Sequence, residues 1–310
     1  MTPDQIAELR KSKYNATVIS LQKVHSDLLI MRVRPDFKRP NHKPGQYTVL
    51  GLGFWEPRFP SCQEETLKEG DESKLARRSY SISCSVLDQS GSLLNLEETD
   101  WLEFYIVLVR STETGQAPVL TPRLFMLREG DRLHLGEKIT GNYTLAGVKP
   151  TDTVLFLSTG TGEAPHNYML WELLRNNHQG RVVSACCTRY RQDLAYLNIH
   201  DQLMRRHSNY RYLPLTTREG TGPGGKVYIQ DLLTSGEMER QVGASLDPAS
   251  THVFLCGNPK MIGVPEKNRE TGAISYPQPP GVIEILTRRG FQLDQPSQKF
   301  RGNIHYEEYW

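Results

Sequence analysis

Arg78-Ser79-Tyr80-Ser81 is the first of several segments whose side chains could bind a dinucleotide cofactor. The Arg78 guanidinium can hold a pyrophosphate through paired hydrogen bonds, and the Tyr80 ring can stack on a flavin. The Ser81 hydroxyl can reach flavin N5, the atom that accepts hydride, while strand alternation places Arg78 and Tyr80 on one face. Taken alone, the segment is better explained as an ordinary strand with an exposed arginine, so the flavin interpretation needs further support.

Val119-Leu120-Thr121 gives some of that support, because it precedes a short helix that the sequence predicts over Pro122–Leu127. The N–H groups of Leu120 and Thr121 would meet a phosphate at the helix start, with the Thr121 hydroxyl as the cap. A plain helix cap without a ligand explains this segment equally well when it is considered in isolation.

A glycine-rich turn, STGTGEAP, spans Ser158 to Pro165 between a predicted apolar strand and a predicted helix. Such a turn lets a pyrophosphate approach the backbone at the helix N-terminus, with Thr159, Thr161 and Gly162 closest to the ligand. The spacing differs from the G-x-G-x-x-G fingerprint of most dinucleotide-binding turns. A turn without function is the alternative, and the segments that follow make it less favoured.

Cationic and aromatic residues follow the next two predicted strands. They are Arg189, Thr217, Arg218, Lys226 and Tyr228. Hydroxyl, guanidinium and ammonium groups suit an adenosine 2′-phosphate, and the tyrosine ring suits its base. A site for NAD would instead place Asp or Glu against the ribose hydroxyls. Each residue alone is explained as a solvated charge, but their shared placement favours NADP.

Cys256-Gly257-Asn258-Pro259-Lys260-Met261 follows another predicted apolar strand. A thiol or thiolate at Cys256 could sit near the nicotinamide C4 and help to align it with flavin N5. A buried cysteine before a turn is the simpler explanation when that residue is considered alone.

The elements that must position these residues fall into two groups, with a boundary near residue 148. Residues 1–148 carry six short strands, typical of an antiparallel β-barrel: Ala16–Leu21, Asp27–Val33, Tyr47–Leu52, Arg78–Val86, Trp101–Arg110 and Arg132–Leu135. Between Trp55 and Leu75 we predict a long solvated surface loop.

Residues 149–310 alternate strands with helices, which predicts an α/β domain built on a parallel sheet. The predicted strands are Thr153–Ser158, Gly180–Cys187, Tyr210–Leu215 and Thr251–Cys256. The predicted helices are Ala164–Asn176, Leu194–Arg206, Ile229–Ser235 and Pro259–Val264.

Composition narrows the class of protein further. The 310 residues carry a formal net charge of +2, so bulk charge does not suggest a nucleic-acid partner. The apolar runs are too short to span a bilayer, and the polar N-terminus lacks a secretion signal, so we expect a cytoplasmic protein. Five cysteines without cluster spacing predict neither a disulfide framework nor an iron–sulfur or other metal site.

Together these segments resemble the ferredoxin–NADP⁺ reductase family, in order and over nearly the whole chain. RSYS is similar to its flavin motif R-x-Y-S/T, STGTGEAP to its nucleotide loop and CGNPKM to its C-G-N/D-P-x-M turn. The ending YEEYW is similar to bacterial-type members, and KVYIQ (Lys226–Gln230) to the plant-type adenine site. Glu163 departs from the family, which usually has an apolar residue there, and this puts the affinity for an anionic pyrophosphate in question.

The resemblance implies a role for each candidate residue. FAD would be bound by Arg78, Ser79, Tyr80, Ser81, Tyr105, Val119, Leu120 and Thr121. NADP would be bound by Thr159, Thr161, Gly162, Arg189, Thr217, Arg218, Lys226, Tyr228, Gly257 and Asn258. Tyr309 would cover the other face of the flavin, with Trp310 extending over the cofactor. The catalytic residues would be Ser81, Cys256, Glu307 and Tyr309.

The implied activity is hydride exchange between NADP(H) and flavin N5, coupled to one-electron transfer with ferredoxin or flavodoxin by a monomeric enzyme. Acidic carriers of this kind would dock on basic residues, for which Lys38-Arg39, Lys43 and Arg288-Arg289 are candidates. Two alternatives remain. One is a reductase component that serves an oxygenase or cytochrome, and the other is a flavoprotein sensor without turnover.

Overall fold

The computed structural model describes residues 1–112, 115–220, 226–268, 270–295 and 299–309. The chain divides into two compact units, of which the first comprises residues 1–84 and 95–142. The second unit comprises residues 85–94 and 143–310, so the chain leaves the first unit briefly before completing it.

The first unit is an antiparallel six-stranded sheet with two helices. Its strands are β1 Ala16–His25, β2 Leu28–Pro35, β3 Tyr47–Gly53, β4 Leu75–Ser81, β5 Leu102–Val107 and β6 Arg132–Leu135, in the spatial order β4-β3-β6-β1-β2-β5. The Ser83 N–H, just past β4, donates to the Glu103 carbonyl of β5 at 2.8 Å and brings the two ends of the sheet together. The prediction of a six-stranded antiparallel barrel is confirmed.

The barrel interior is apolar because alternate side chains of its strands point inward. Leu29 and Met31 of β2 and Phe104 of β5 are fully buried there. Helix α1 (Pro3–Lys13), which we did not predict, begins with a capping box between Thr2 and Gln5.

The predicted solvated loop between Trp55 and Leu75 is packed against the barrel unit at its centre, so that prediction is wrong there. The Arg123 side chain is 2% exposed and forms a paired contact with Glu65, with Nη2 2.7 Å from Oε2 and Nη1 3.2 Å from Oε1. The Phe59 N–H donates to the Pro122 carbonyl at 2.8 Å, and its ring meets Phe125 edge-on. A buried arginine needs an acid partner, and this requirement holds the loop in place.

The second unit contains a five-stranded parallel sheet flanked by helices, which confirms the predicted α/β architecture. The strands are β7 Thr153–Thr159, β8 Val182–Thr188, β9 Tyr210–Thr216, β10 Thr251–Gly257 and β13 Ile304–Glu308, in the order β13-β10-β7-β8-β9. A short hairpin is formed by β11 Glu266–Lys267 and β12 Ile274–Ser275. The helices are α3 Glu163–Arg175, α4 Leu197–Arg206, α5 Ile229–Thr234, α6 Glu237–Val242, α7 Pro259–Ile262 and α8 Val282–Thr287.

Residues 85–94 form a turn that belongs to the second unit. The predicted strand Arg78–Val86 ends at Ser81, and Val86 adopts a positive φ of 59°, which is incompatible with a continuing strand. The Trp171 indole N–H of α3 donates to the Leu94 carbonyl at 2.8 Å. This bond ties the turn to the second unit.

No helix among the described residues is long and apolar enough to cross a bilayer.

Burial of His166 in the second unit predicts acid sensitivity. The imidazole of α3 is 2% exposed and packs 5.1 Å from the Phe156 ring, and its burial lowers its pKa to about 3. In the unfolded chain the pKa returns to about 6.5, so protons bind the unfolded state first and stability falls as the pH drops below that value. This difference between the folded and unfolded pKa lowers the free energy of unfolding by about 2 kcal/mol at pH 5.

The variant His166→Gln should therefore lose about 2 kcal/mol less stability than the wild type between pH 7 and pH 5. An amide oxygen can still accept from the Tyr143 hydroxyl, which lies 2.7 Å from His166 Nε2. Urea unfolding at both pH values measures the difference, and the remaining histidines are shared by both proteins. An equal loss in the two proteins would contradict the assignment.

Candidate functional site

The glycine-rich turn and the Cys256–Met261 segment come together at the carboxyl ends of β7 and β10. Residues Gly160–Gly162 form one turn of 3₁₀ helix, and α3 begins at Glu163. The Asn258 N–H donates to Thr159 Oγ1 at 2.7 Å, which locks one turn to the other. The two strands are neighbours and parallel, so their carboxyl ends meet at the same edge of the sheet.

Two glycines make this approach possible. A Cβ at Gly162 would lie 2.3 Å from the Cys256 carbonyl oxygen, and a Cβ at Gly257 would lie 2.3 Å from Thr159 Oγ1. Gly257 also has a φ of +123°, which side chains rarely tolerate. The sequence reasoning chose Gly162 and Gly257 as nucleotide-binding residues, and the structure shows that any larger residue would push the two turns apart.

Strand β13 brings the aromatic end of the sequence to the same edge. It pairs with β10 in parallel, with Glu307 opposite Cys256 in the register. The Tyr309 N–H donates to the Gly257 carbonyl at 3.0 Å, so Tyr309 borders the Gly257 turn. The predicted contribution of Trp310 lies outside the described residues.

Cys256 is fully buried at the end of β10. Burial raises the pKa of its thiol well above the usual value, and the Glu307 carboxylate raises it further, while the hydrogen bond with Tyr309 lowers it. Of the two protonation states considered for this residue, the neutral thiol is therefore the one present at neutral pH. It can act by shape and polarisability but not as an anion.

Arg189 and Arg218 lie next to each other at the ends of β8 and β9. The Arg218 N–H donates to the Arg189 carbonyl at 3.0 Å, and the Thr217 hydroxyl donates to the Thr188 carbonyl at 3.2 Å. Both residues are exposed. Arg189 Nε lies 3.9 Å from the Asp193 carboxylate, and the Arg218 guanidinium lies over the Tyr190 ring. An acid that the sequence reasoning did not weigh also lies here, because the Glu219 carboxylate accepts from the Arg191 N–H at 2.6 Å.

Lys226 and Tyr228 directly precede α5 in the same unit. Tyr228 is 45% exposed, and its N–H donates to the Asp231 carboxylate at 2.8 Å in a capping box. Its ring is therefore open to a planar ligand. The residues that connect this segment to Arg218, numbers 221–225, lie outside the described residues.

The Arg78–Ser81 segment occupies β4 of the first unit. Arg78 and Ser79 are exposed, whereas Tyr80 is half-buried and Ser81 is buried. Burial raises the pKa of the Tyr80 phenol, partly offset by the Arg78 charge, so the ring stays neutral. An open groove of about 580 Å³ runs beside Arg78 and Ser79, and His134 and Lys138 also line it.

The Val119–Thr121 segment differs from the prediction. The helix that follows it, α2, covers only Thr121–Leu124 and has no side-chain cap. The Thr121 hydroxyl instead accepts from the Val109 N–H at 3.1 Å, because an unpaired N–H beyond β5 needs an acceptor. The Val119 carbonyl accepts a hydrogen bond from the buried Arg123 guanidinium at 2.6 Å, and this bond holds the segment in place.

Tyr105, another predicted FAD residue, lies on β5 and is only 4% exposed. It stands opposite Ile30 of β2 in the antiparallel register. Its ring is thus part of the barrel wall.

The Glu163 carboxylate, whose effect on pyrophosphate affinity the sequence analysis questioned, is buried inside the second unit. Its side chain is 3% exposed, and Oε1 accepts from the Tyr212 hydroxyl at 2.7 Å. His200 Nε2 lies 3.2 Å from the same oxygen. The partners are 37 and 49 residues away in the sequence, so no local pattern could have indicated them.

Comparison with known proteins agrees with this arrangement. Residues 156–267 match the Oxidoreductase NAD-binding domain family. The flavodoxin/ferredoxin–NADP reductase of Buchnera aphidicola subsp. Baizongia pistaciae is 31% identical over 179 residues, covering 57% of this chain and 69% of that protein. The Escherichia coli (strain K12) protein of the same name is 30% identical over 177 residues, with the same coverage.

Among solved structures, a ferredoxin NADP⁺ reductase from Neisseria gonorrhoeae with bound FAD and NADP is similar in fold. The TM-score is 0.66 at 20% sequence identity, over 96% of this chain and 98% of that one.

The antiparallel barrel unit, the parallel sheet and the paired turns at its carboxyl edge define a two-domain, NADP-linked flavoprotein oxidoreductase. The chain belongs to the flavodoxin/ferredoxin–NADP reductase family. The similar structure from Neisseria gonorrhoeae holds FAD and NADP.

The residues present fit these cofactors. Gly162 and Gly257 let the two turns pack closely at the carboxyl edge of the sheet, which places the main-chain N–H groups at the start of α3 where a pyrophosphate can approach them. The groove beside Arg78 has the volume typical of ligand sites and carries positive charge.

Proposed function

We propose that the chain is a ferredoxin–NADP⁺ or flavodoxin–NADP⁺ oxidoreductase, with FAD held by residues 1–148 and NADP(H) by residues 149–310. The observation that carries the proposal is the pair of turns after β7 and β10, locked by the Thr159–Asn258 hydrogen bond. When bound, FAD supplies the ability to exchange hydride with a nicotinamide and single electrons with a protein carrier.

In this proposal, the side chains of the second unit bind and orient NADP(H). Arg189 and Arg218, which are exposed and joined through their main chains, hold the 2′-phosphate with their guanidinium groups, and Thr217, Lys226 and Tyr228 complete the adenine end. Thr161 and Gly162 accommodate the pyrophosphate at the start of α3. Cys256 shapes the nicotinamide end as a neutral thiol, with Glu307 and Tyr309 beside it on β13 and just after it.

The side chains of the first unit orient FAD. Arg78 binds the pyrophosphate, Tyr80 stacks on the ring system, and the Ser81 hydroxyl approaches the reactive nitrogen. The barrel supplies a rigid frame, because β4 is held to β3 along seven residue pairs from Tyr47–Ser81 to Gly53–Leu75.

The protein partner is an acidic carrier that docks on exposed lysines. Lys38 and Lys43 are exposed in the first unit and have no ion pair among the described residues. Arg288 and Arg289 are weaker candidates than the sequence suggested, since they pair with Glu284 at 2.5 Å and Glu239 at 2.7 Å. Charge complementarity of this kind chiefly raises the association rate.

An anaerobic titration of the purified protein tests the proposal. We expect a bound yellow flavin that is bleached by NADPH at a concentration at least about tenfold lower than by NADH. The reduced protein should then be reoxidised by ferredoxin or flavodoxin, at a rate that falls as salt is added. A colourless protein that takes up no flavin, or equal bleaching by the two nucleotides, would contradict it.

A further inference from the structure

The buried carboxylate of Glu163 lies directly after the Gly160–Gly162 turn, at the first residue of α3. A pyrophosphate site has no chemical need for an acid at this position, since the two groups carry like charges. The structure resolves this conflict by turning the side chain into the interior of the second unit.

Inside the unit, Glu163 is part of a network that joins three elements. Its Oε1 accepts from the Tyr212 hydroxyl of β9 and lies 3.2 Å from His200 Nε2 of α4. The His200 ring stacks on the Tyr212 ring with centroids 3.9 Å apart. The Tyr210 hydroxyl, also on β9, lies 2.8 Å from His200 Nδ1. All four side chains are at most 3% exposed, so none can exchange its partners for water.

The first turn of α3 is buried, at Ala164, Pro165 and His166 among others, but it has no side-chain cap. Its N-cap residue is Gly162, which has no side chain to cap the helix. Gly162 packs closely against the main chain of Cys256. Glu163 connects the start of α3 to β9 by accepting a hydrogen bond from the Tyr212 hydroxyl. Strand β9 is followed directly by Thr217 and Arg218.

We propose that Glu163 is a positioning residue, whose hydrogen-bond acceptor oxygen holds the Gly160–Gly162 turn in the shape that receives the NADP pyrophosphate. This inference rests on the proposed function, because it assigns a role within that nucleotide site. The property that matters is the acceptor at Oε1, not the charge. The second oxygen, Oε2, has no hydrogen-bond partner among the described residues, so an amide nitrogen placed there loses no contact.

Two substitutions separate the acceptor from the charge. Glu163→Leu leaves the Tyr212 hydroxyl and the His200 nitrogen unpaired in the interior, and the first turn of α3 must move to relieve them. Glu163→Gln keeps an acceptor of the same size for Tyr212, removes the charge and places an NH₂ group at the position of the unpartnered Oε2. A surface exchange on the same helix, Glu172→Leu, is the matched control, because Glu172 lies about two and a half turns further along α3 and is partly exposed.

Titration of the full-length FAD-loaded protein with two ligands measures whether a displaced turn weakens nucleotide binding. NADP⁺ spans the whole site, whereas 2′-phospho-AMP lacks the nicotinamide half and reaches only the adenine end. We expect Glu163→Leu to weaken NADP⁺ binding by about tenfold and 2′-phospho-AMP binding by less than about twofold. The KM for NADPH should rise in proportion while kcat at saturation stays the same.

Both Glu163→Gln and Glu172→Leu should bind the two ligands as the wild type does. If Glu163→Leu does not fold, Tyr212→Phe removes the donor and keeps the stacked ring, with the same selective loss expected. Unchanged NADP⁺ binding, equal weakening of both ligands, or tighter NADP⁺ binding by Glu163→Gln would overturn the inference. A wild type that binds neither ligand would instead refute the proposed function.

Discussion

Replacing Gly162 by alanine should weaken NADP⁺ binding by about a hundredfold, because about 3 kcal/mol of binding energy depends on the shape of this turn. The added Cβ would lie 2.3 Å from the Cys256 carbonyl oxygen and 2.6 Å from its carbon, so it meets backbone that cannot rotate away. Gly162 itself has φ −60° and ψ −12°, which suit any residue. The expected loss therefore comes from the steric contact alone.

Gly160→Ala is the control for this prediction. Gly160 has a φ of +52°, and a Cβ there would have nothing within 4 Å. Its cost should be about 1 kcal/mol of backbone strain, with only a small change in NADP⁺ affinity. Difference spectra during NADP⁺ titration measure the affinity, and thermal unfolding measures the strain. If both alanine variants bound NADP⁺ alike, close packing of the two turns would not be what the site requires.

Replacing Arg123 by methionine should destabilise the first unit by about 3–5 kcal/mol, because buried Glu65 would lose its paired contact and keep only Arg58, whose Nη1 lies 3.9 Å away. Arg123 also donates to the carbonyls of Val119 and Phe54, at 2.6 and 3.0 Å. Its loss therefore frees both the central loop and the segment proposed to bind FAD. We expect earlier unfolding in urea and faster release of FAD, which is detected by the rise in flavin fluorescence.

The exposed pair Arg34–Asp100 provides a matched comparison. Arg34 Nε lies 2.7 Å from Asp100 Oδ2, the same distance as between Arg123 and Glu65, but the two side chains are 53% and 64% exposed. Arg34→Met should therefore cost less than about 1 kcal/mol. The double variant Glu65→Leu with Arg123→Met should recover much of the lost stability, since neither charge remains unpaired. A single Arg123→Met variant as stable as Arg34→Met would show that the buried pair does not hold the loop.

The sequence was sufficient to predict the elements whose patterns are local. Short alternating strands predicted the barrel, and apolar strands followed by helical segments predicted the parallel sheet. The glycine-rich turn with Thr159 and Gly162 was chosen from its strand–turn–helix context, and Gly257 and Asn258 from the family resemblance. The structure brings these two turns together, because neighbouring parallel strands place their carboxyl ends at one edge. Helix α1 was missed although Thr2 and Gln5 form the capping signature, so attention to that signature would have found it.

The features that were not predicted depend on contacts between distant positions. Glu65 and Arg123 are 58 residues apart, and neither position shows that its neighbour will be buried. The burial of Glu163 depends on α4 and β9, whose His200 and Tyr212 pack against it, so the residues next to Glu163 in the sequence do not predict it. Strand β13 has only two fully buried residues, Ile304 and His305, so its sequence lacks apolar alternation and its structure comes from pairing with β10.

Residues 85–94 belong to the second unit, although in the sequence they lie between the two parts of the first unit. This limits how the two units can be exchanged by recombination. A single crossover at residue 142 would join a new barrel to a sheet unit that lacks its own 85–94 turn. The Trp171 indole would then face whatever main chain the incoming barrel supplies in place of the Leu94 carbonyl. Chimaeras should therefore inherit this decapeptide from the same parent as the nucleotide half, although it is encoded within the other half of the gene.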